Sequence, residues 1–211
     1  MNDKIRVGLI GYGYASKTFH APLIDGTPGM ELAAISSSDA SKVHADWPTV
    51  PVVSEPKHLF NDPTIDLIVI PTPNDTHFPL AKAALEAGKH VVVDKPFTVT
   101  LSQARELDAL AKSLGKLLSV FHNRRWDSDF LTVKALIADG SLGEVAFFES
   151  HFDRFRPQVR NRWREQAGPG SGIWYDLAPH LLDQAVNLFG LPVSLNVDLA
   201  QLRPGAQATD Y

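Results

Sequence analysis

The sequence predicts an α/β protein that begins with a doubly wound parallel sheet, and three observations support this prediction. Short apolar runs at 5–10, 65–70 and 91–93 each stop at a glycine, a proline or an aspartate. Helical patterns separate the later runs, as at 101–114. Strands that are apolar along their whole length are typical of parallel sheets with helices on both faces.

The predicted elements of this first domain follow one another in a regular order. Pro79 in a first turn, and Gly88 and Gly115 after last turns, mark the bounds of two helices. The predicted elements are strands at 5–10, 32–35, 65–70, 91–93 and 117–121, and helices at 79–87 and 101–114. Because the alternation of short apolar strands with helices changes after His122, the first domain is expected to span residues 1–122.

Residues 123–211 predict a second domain of α+β type, built on an open sheet. Helices are expected at 130–138 and at 173–188, the second in spite of Pro179, and strands at 145–155 and 193–202. Two long strands without further partners make a poor sheet. The second domain is therefore expected to be incomplete, and the sequence to be the front part of a longer protein.

Composition and charge argue against several classes of function. The formal net charge is −4 and no basic block is present, which speaks against a nucleic-acid partner. The absence of cysteine excludes disulfides and thiolate chemistry. No apolar run reaches the roughly 18 residues that a membrane helix needs. No signal peptide is expected, because the N-terminus leads directly into a strand pattern. A cytoplasmic protein is expected.

The turn after the first strand has the pattern of a Rossmann dinucleotide fingerprint. Gly11 permits a tight turn, and Gly13 lets the backbone approach a pyrophosphate at the start of the next helix. Ser16 stands where a third small residue, glycine or alanine, is usual. Tyr14 and Ala15 within the turn are expected to contact the dinucleotide as well. The alternative is a plain strand-to-helix turn, but its place after the first strand of an α/β domain favours the fingerprint.

The residues at the end of the second strand are expected to determine whether the protein binds NAD or NADP. An acidic residue there binds the ribose 2′-hydroxyl, whereas hydroxyl or basic groups accommodate a 2′-phosphate. The strand ends in Ser36, Ser37 and Ser38, with Asp39 and Lys42 after it. The three serines favour NADP over NAD, although Asp39 could still reach a ribose hydroxyl.

A candidate catalytic lysine follows the strand at 91–93. Ligands bind beyond the carboxyl ends of the strands in open α/β sheets, so Lys95 in Asp94-Lys95-Pro96 is aimed at the crevice. A lysine at that apolar strand end, beside a proline whose peptide bond is a candidate for the cis form, could donate to an alkoxide. The alternative is a solvated surface lysine.

The second catalytic signal is an aspartate and a histidine on one predicted helix. Asp176 and His180 are four residues apart and so share a face, and the glycines before them leave room for a ligand. An aspartate one turn from a histidine can orient the imidazole. The alternative is a helix-start aspartate with a core histidine.

Taken together in this order, the motifs resemble the Gfo/Idh/MocA oxidoreductase family. The resemblance covers essentially the whole chain. It rests on the glycine turn, on Asp94-Lys95-Pro96, on the glycine-rich segment with Asp176 and His180, on Pro71-Thr72-Pro73-Asn74-Asp75-Thr76-His77, and on Asn123-Arg124-Arg125. Asp94 departs from the glutamate that is usual in the family.

The resemblance implies a Rossmann domain followed by an open-sheet domain that commonly mediates homo-oligomerisation. It implies hydride transfer between a nicotinamide dinucleotide and a carbohydrate, polyol or inositol-like hydroxyl. Lys95, Asp176 and His180 match the catalytic residues of the family, and Asn123 and Arg124 are expected to lie near the substrate. By the same match, the dinucleotide is expected to contact Pro71, Thr72, Asn74, His77, Asp94 and Lys95.

The predicted mechanism uses His180 as general base, Lys95 to stabilise charge on the same oxygen, and Asp176 to orient the substrate or His180. Trp163, among arginines, is expected either to cover the nicotinamide or a sugar face, or to be a core residue. The remaining histidines lack ligand-like spacing, so no metal site is expected. Two alternative functions are a dinucleotide-sensing protein without catalysis and a reductase of small non-sugar carbonyls.

Overall fold

The computed structural model describes residues 4–211, and the chain divides into two compact units, Met1–Phe121 and His122–Tyr211. Within the described residues, no helix combines the length and the apolar character that crossing a bilayer requires.

The first unit is built on a six-stranded sheet. Every pair of neighbouring strands is parallel, and the strand order is β3-β2-β1-β4-β5-β6. The order reverses between β1 and β4, which makes the crevice at the carboxyl ends of these strands the expected ligand site. The strands are β1 (Ile5–Ile10), β2 (Met30–Ser36), β3 (Val52–Val53), β4 (Leu67–Ile70), β5 (His90–Asp94) and β6 (Leu118–Phe121).

Helices cover both faces of this sheet. Successive residues on one strand point to opposite faces. Accordingly, Ile68 of β4 packs in one buried cluster with Leu85 and Leu107, while Val69 packs in the other with Val43. This arrangement confirms the predicted doubly wound parallel sheet. The helices are a π-helical turn (Ser16–His20) that continues into α1 (Ala21–Gly26), α2 (Ala40–His44), α3 (Pro56–Phe60), the 3-10 turn Asn74–Thr76, α4 (His77–Glu86) and α5 (Leu101–Ser113).

The shortest elements of this unit were not predicted. The strand Val52–Val53 has two residues, and α2 and α3 have five residues each. Such segments are too short to show the two-residue or 3.6-residue period from which elements are predicted.

The second unit is helical where it is regular. It contains α6 (Ser128–Ala138) and α7 (Gly172–Phe189), and the 3-10 turns Asn123–Trp126 and Trp163–Glu165. Pro179 lies inside α7 without ending it. The strands predicted at 145–155 and 193–202 are wrong, because both segments lack regular secondary structure. A β-strand exists through a repeated ladder of hydrogen bonds to a neighbouring strand. Ala200 exchanges backbone hydrogen bonds with Asp210 and Tyr211, but among the described residues neither segment belongs to a sheet.

Candidate active site

The glycine turn has the geometry that a bound pyrophosphate requires. Gly11 has a φ of +80°, and its N–H donates to the Ser36 carbonyl at 2.7 Å. An added Cβ on Gly13 would meet no atom within 4 Å, so the space over this backbone is open. The Ser16 hydroxyl is buried and forms no hydrogen bond within residues 4–211. Such an orphaned polar group calls for a partner, and one supplied by a bound ligand would satisfy it.

A cavity of about 490 Å³ lies at the carboxyl ends of β1 and β2, against this turn. Its volume is within the range of roughly 300–1,000 Å³ that small-molecule sites occupy. Tyr14 and Ala15 do not line it, and Tyr14 is 77% exposed with its ring edge against Phe19. The lining is formed by Ile10, Gly11, Tyr12, Gly13, Ser36, Ser37, Ser38, Asp39, Lys42, Ser54 and Pro56. These residues fit the phosphates and one ribose of a dinucleotide.

Asp39 is engaged in capping α2. Its carboxylate accepts from the Ser41 hydroxyl at 2.6 Å and from the Lys42 N–H at 3.1 Å. These two hydrogen bonds hold the pKa of Asp39 below its ordinary value. Lys42 also lines the cavity, so a cation lies beside the serines at the end of β2.

Lys95 follows β5, and the residue before it is held by a histidine that sequence reasoning did not single out. The His20 imidazole is buried, with Nε2 3.3 Å from Asp94 Oδ2, and its ring lies against Phe121 at 4.3 Å. The other carboxylate oxygen of Asp94 accepts from the Lys95 N–H at 2.6 Å. Burial raises the pKa of Asp94, but the bonds from His20 and the Lys95 N–H outweigh it and keep this pKa below its ordinary value.

His77 joins the loops after β4 and β5. Its Nδ1 lies 2.8 Å from the Pro96 carbonyl oxygen, and its Nε2 lies 2.9 Å from that of Thr72. The Lys95–Pro96 peptide bond is cis. The His77 side chain is fully buried, and the expectation that His77 lines the dinucleotide stays a prediction. Its imidazole positions the backbone of the loops after β4 and β5.

Acid is expected to destabilise the first unit through His77. Burial, opposed by the two carbonyl contacts, lowers its pKa from 6.5 in the folded state. Its stabilising contribution is therefore complete above about pH 6.5 and is lost as the pH falls below that value. His77→Gln is expected to cost about 1–3 kcal/mol at pH 7.5 and to flatten the pH dependence of the urea midpoint between pH 7.5 and pH 5. An unchanged slope in His77→Gln, or an equal loss of slope in the exposed control His58→Gln, would contradict this role.

Other predicted dinucleotide contacts lie along the same edge of the sheet. The Thr72 hydroxyl lies 2.6 Å from that of Thr76, and its methyl group would lie 3.6 Å from an added Cβ on Gly11. Asn74 is buried, while Pro71 and Thr72 are partly exposed. Thr72 is therefore brought next to the glycine turn, whereas the buried Asn74 side chain has little surface to offer a ligand.

In the second unit, α7 carries Asp176 and His180 one turn apart. His180 is buried, and its ring lies 6.2 Å from that of Phe152 in an edge-on arrangement. The Arg124 guanidinium lies over the Phe152 ring, 5.4 Å from the ring centre. Phe152 therefore connects two predicted site residues, Arg124 and His180. Its place in the site does not show in the sequence, because Phe152 lies in a segment with the composition of a strand.

Asp176 and Trp163 share a neighbour in Arg164. The Arg164 Nε lies 3.4 Å from Asp176 Oδ1, and its guanidinium lies 4.5 Å from the centre of the Trp163 ring. Trp163 is partly exposed, so the structure does not make it a core residue. This stack fixes Arg164 beside the aspartate.

A bidentate ion pair holds the start of the second unit to α7. Arg125 donates to both carboxylate oxygens of Asp183, at 2.6 and 2.7 Å. The Gln184 amide donates to the Arg124 carbonyl at 3.1 Å. Asn123 and Arg124 are thus fixed relative to His180.

Among residues 4–211, no group of three or more histidine, cysteine or carboxylate side chains is arranged to hold a metal ion.

A parallel sheet of this order, with an open cavity over a glycine turn at its first strand, defines a dinucleotide-binding α/β protein of the Rossmann type. The comparison with known families agrees. The family model described as an oxidoreductase family with an NAD-binding Rossmann fold matches residues 5–122, and the GFO/IDH/MocA C-terminal domain matches residues 130–211. The chain belongs to the Gfo/Idh/MocA oxidoreductase family, as the sequence motifs predicted.

Individual relatives place the chain more closely. It is 88% identical, over its whole length, to the uncharacterized oxidoreductase YdgJ of Escherichia coli, of which it covers 61%. It is 41% identical, over 99% of its length, to the scyllo-inositol 2-dehydrogenase (NADP(+)) IolW of Bacillus subtilis, of which it covers 58%. The solved structure of the YPO2259 putative oxidoreductase from Yersinia pestis matches with a TM-score of 0.94 and 76% sequence identity. The match includes 100% of this chain and 60% of that protein. The chain thus spans about 60% of the length of these relatives.

Proposed function

We propose that this protein transfers a hydride between NAD(P) and the CH–OH or carbonyl group of a sugar, polyol or inositol-like substrate. One observation carries this proposal. Lys95 directly follows β5, in the same parallel sheet whose β1 and β2 ends line the dinucleotide cavity. Its backbone is fixed on one side by the Asp94 carboxylate. The relative IolW, a scyllo-inositol dehydrogenase by name, supports the substrate class.

In the proposed mechanism, two side chains act on one substrate oxygen. When bound, the nicotinamide ring supplies the carbon that accepts or donates the hydride. During oxidation His180 takes the hydroxyl proton on a ring nitrogen, and Lys95 donates a hydrogen bond from Nζ to the same oxygen as negative charge develops on it. Asp176 orients a further substrate hydroxyl. Asn123, Arg124 and Trp163 complete the proposed substrate site.

We further propose that NADP is preferred over NAD. The support is the chemistry at the end of β2, where Ser36, Ser37 and Ser38 line the cavity together with Lys42. Asp39, the one acidic residue among the described residues that line the cavity, already accepts two hydrogen bonds at the start of its own helix. The relative IolW is NADP-dependent by name.

The cytoplasmic location and homo-oligomerisation through the second domain stay predictions.

Lys42→Ala is expected to raise the KM for NADP+ about tenfold, because a charge-assisted hydrogen bond to the 2′-phosphate is lost. The KM for NAD+, which has no such phosphate, is expected to stay unchanged. Initial rates with each cofactor at saturating substrate measure both values. Lys57→Ala removes an exposed lysine outside the cavity and serves as control. An equal rise in the KM for both cofactors would show that Lys42 does not bind the 2′-phosphate.

The test of the proposed function is turnover. The protein, in its longest natural form, is mixed with NADPH and a panel of inososes and keto-sugars, and the loss of cofactor absorbance is followed. Substrate-dependent oxidation of NADPH is the expected result. Tight cofactor binding without turnover of any of these carbonyls would overturn the proposal, since a dinucleotide sensor behaves in that way.

A further inference from the structure

The second unit contains its own cavity, of about 340 Å³, at the N-terminal end of α7. Asp176 lines this cavity, so it adjoins the proposed substrate site. Its lining is rich in charge, and basic groups outnumber acidic ones. Three carboxylates line it, from Glu165, Asp176 and Asp210, together with five guanidinium groups, from Arg154, Arg156, Arg162, Arg164 and Arg203.

Three of the arginines already neutralise the three carboxylates. The pairs are Arg162 with Glu165 at 2.6 Å, Arg203 with Asp210 at 2.8 Å, and Arg164 with Asp176 at 3.4 Å. Arg154 and Arg156 form no ion pair with any residue in the described range 4–211. These two guanidinium groups therefore give the cavity its excess of positive charge.

The segment that carries these two arginines is held in place. The Arg203 guanidinium donates to the carbonyl oxygens of Arg156 and Gln158, both at 3.2 Å. Burial, together with repulsion from Arg154, Arg162 and Arg160, lowers the pKa of Arg156 from its ordinary value. An anion placed between Arg154 and Arg156 would relieve this repulsion.

We propose that this cavity binds the carboxylate of an acidic polyhydroxy substrate, such as a sugar acid or a cyclitol acid. This inference rests on the proposed function, because Asp176 belongs to both sites. A carboxylate matches the planar fork of a guanidinium with two parallel hydrogen bonds. The volume is near the lower end of the range for small-molecule sites and fits a single six-membered ring.

Equilibrium binding tests the proposal without any turnover. D-glucuronate is titrated into the protein by calorimetry, and its methyl ester serves as a neutral probe of nearly the same shape. The acid is expected to bind at least tenfold more tightly than the ester, and higher salt is expected to weaken only the acid. Arg154→Gln and Arg156→Gln are each expected to weaken glucuronate binding about 10- to 100-fold. Arg154→Lys keeps the positive charge but lacks the planar guanidinium, so its affinity for glucuronate is expected to lie between those of the unaltered protein and Arg154→Gln.

Arg160→Gln is the matched control, because this arginine is exposed, belongs to the same segment and does not line the cavity. Equal binding of acid and ester, or an equal loss in Arg160→Gln and Arg154→Gln, would overturn the inference. Tighter binding of glucose 6-phosphate than of glucuronate would overturn the assignment to a carboxylate. Arginine-dependent glucuronate binding, with no turnover of any inosose or keto-sugar by the same protein, would support the inference while contradicting the proposed function. Turnover of neutral polyols, together with equal binding of glucuronate and its methyl ester, would support the proposed function while overturning the inference.

Discussion

Replacing Lys95 with alanine is expected to lower kcat by about 10²- to 10⁴-fold, the range that a positioned acid or base contributes. The ammonium group is proposed to stabilise the substrate oxygen only while negative charge develops on it. Its loss therefore acts on kcat more than on KM. Initial rates at saturating substrate and cofactor measure the effect, and cofactor fluorescence measures dinucleotide binding in the same variant.

Two further variants make this result specific. Lys95→Arg keeps the positive charge but changes its shape, so it is expected to recover part of the rate. Lys112→Ala removes an exposed lysine that pairs with Asp108 on α5, and its kcat is expected to equal that of the unaltered protein. Near-normal turnover in Lys95→Ala would remove this lysine from the mechanism.

His180→Gln is expected to lower kcat over a similar range, about 10²- to 10⁴-fold, because no other group in the proposed mechanism accepts the hydroxyl proton. Glutamine keeps much of the volume beside Phe152, so the packing of α7 is expected to survive. The rate is measured in both directions, since the same imidazole must return the proton during reduction.

The matched control is His151→Gln, because His151 is an exposed histidine of the same unit. Its kcat and KM are expected to stay unchanged. If His180→Gln retained its rate, the general base would be a different residue and the proposed pairing with Lys95 would be wrong.

Most of the first unit could be predicted because its strands are buried on both faces. A strand such as β4 supplies Ile68 to one core cluster and Val69 to the other, so it is apolar at every position and visible in the sequence. The two-residue β3 and the five-residue α2 and α3 carry no period. Their structure depends on what they contact, which local sequence does not reveal.

The second unit was harder to predict for a different reason. The helices α6 and α7 form through hydrogen bonds within one segment, and both were predicted nearly to their bounds. The segments at 145–155 and 193–202 have the composition of strands, but a strand also needs a partner at its edge. Composition alone therefore predicted two strands that the described structure lacks.

The site was predictable where its chemistry lies in consecutive residues. The glycine turn and Lys95 after β5 are motifs that can be read directly. The contact of His20 with Asp94 joins residues 74 positions apart, and the pair of Arg125 with Asp183 joins residues 58 positions apart. Nothing in one sequence shows such pairings, because they depend on how the chain returns to itself.

The most direct test of the whole account is a crystal structure of the protein, in its longest natural form, with NADP+ and a bound polyol. We expect the pyrophosphate over Gly11 and Gly13, and one substrate oxygen within hydrogen-bond distance of both Lys95 Nζ and the His180 imidazole. A polyol bound elsewhere, with Lys95 and His180 on separate surfaces and no shared oxygen between them, would contradict the account.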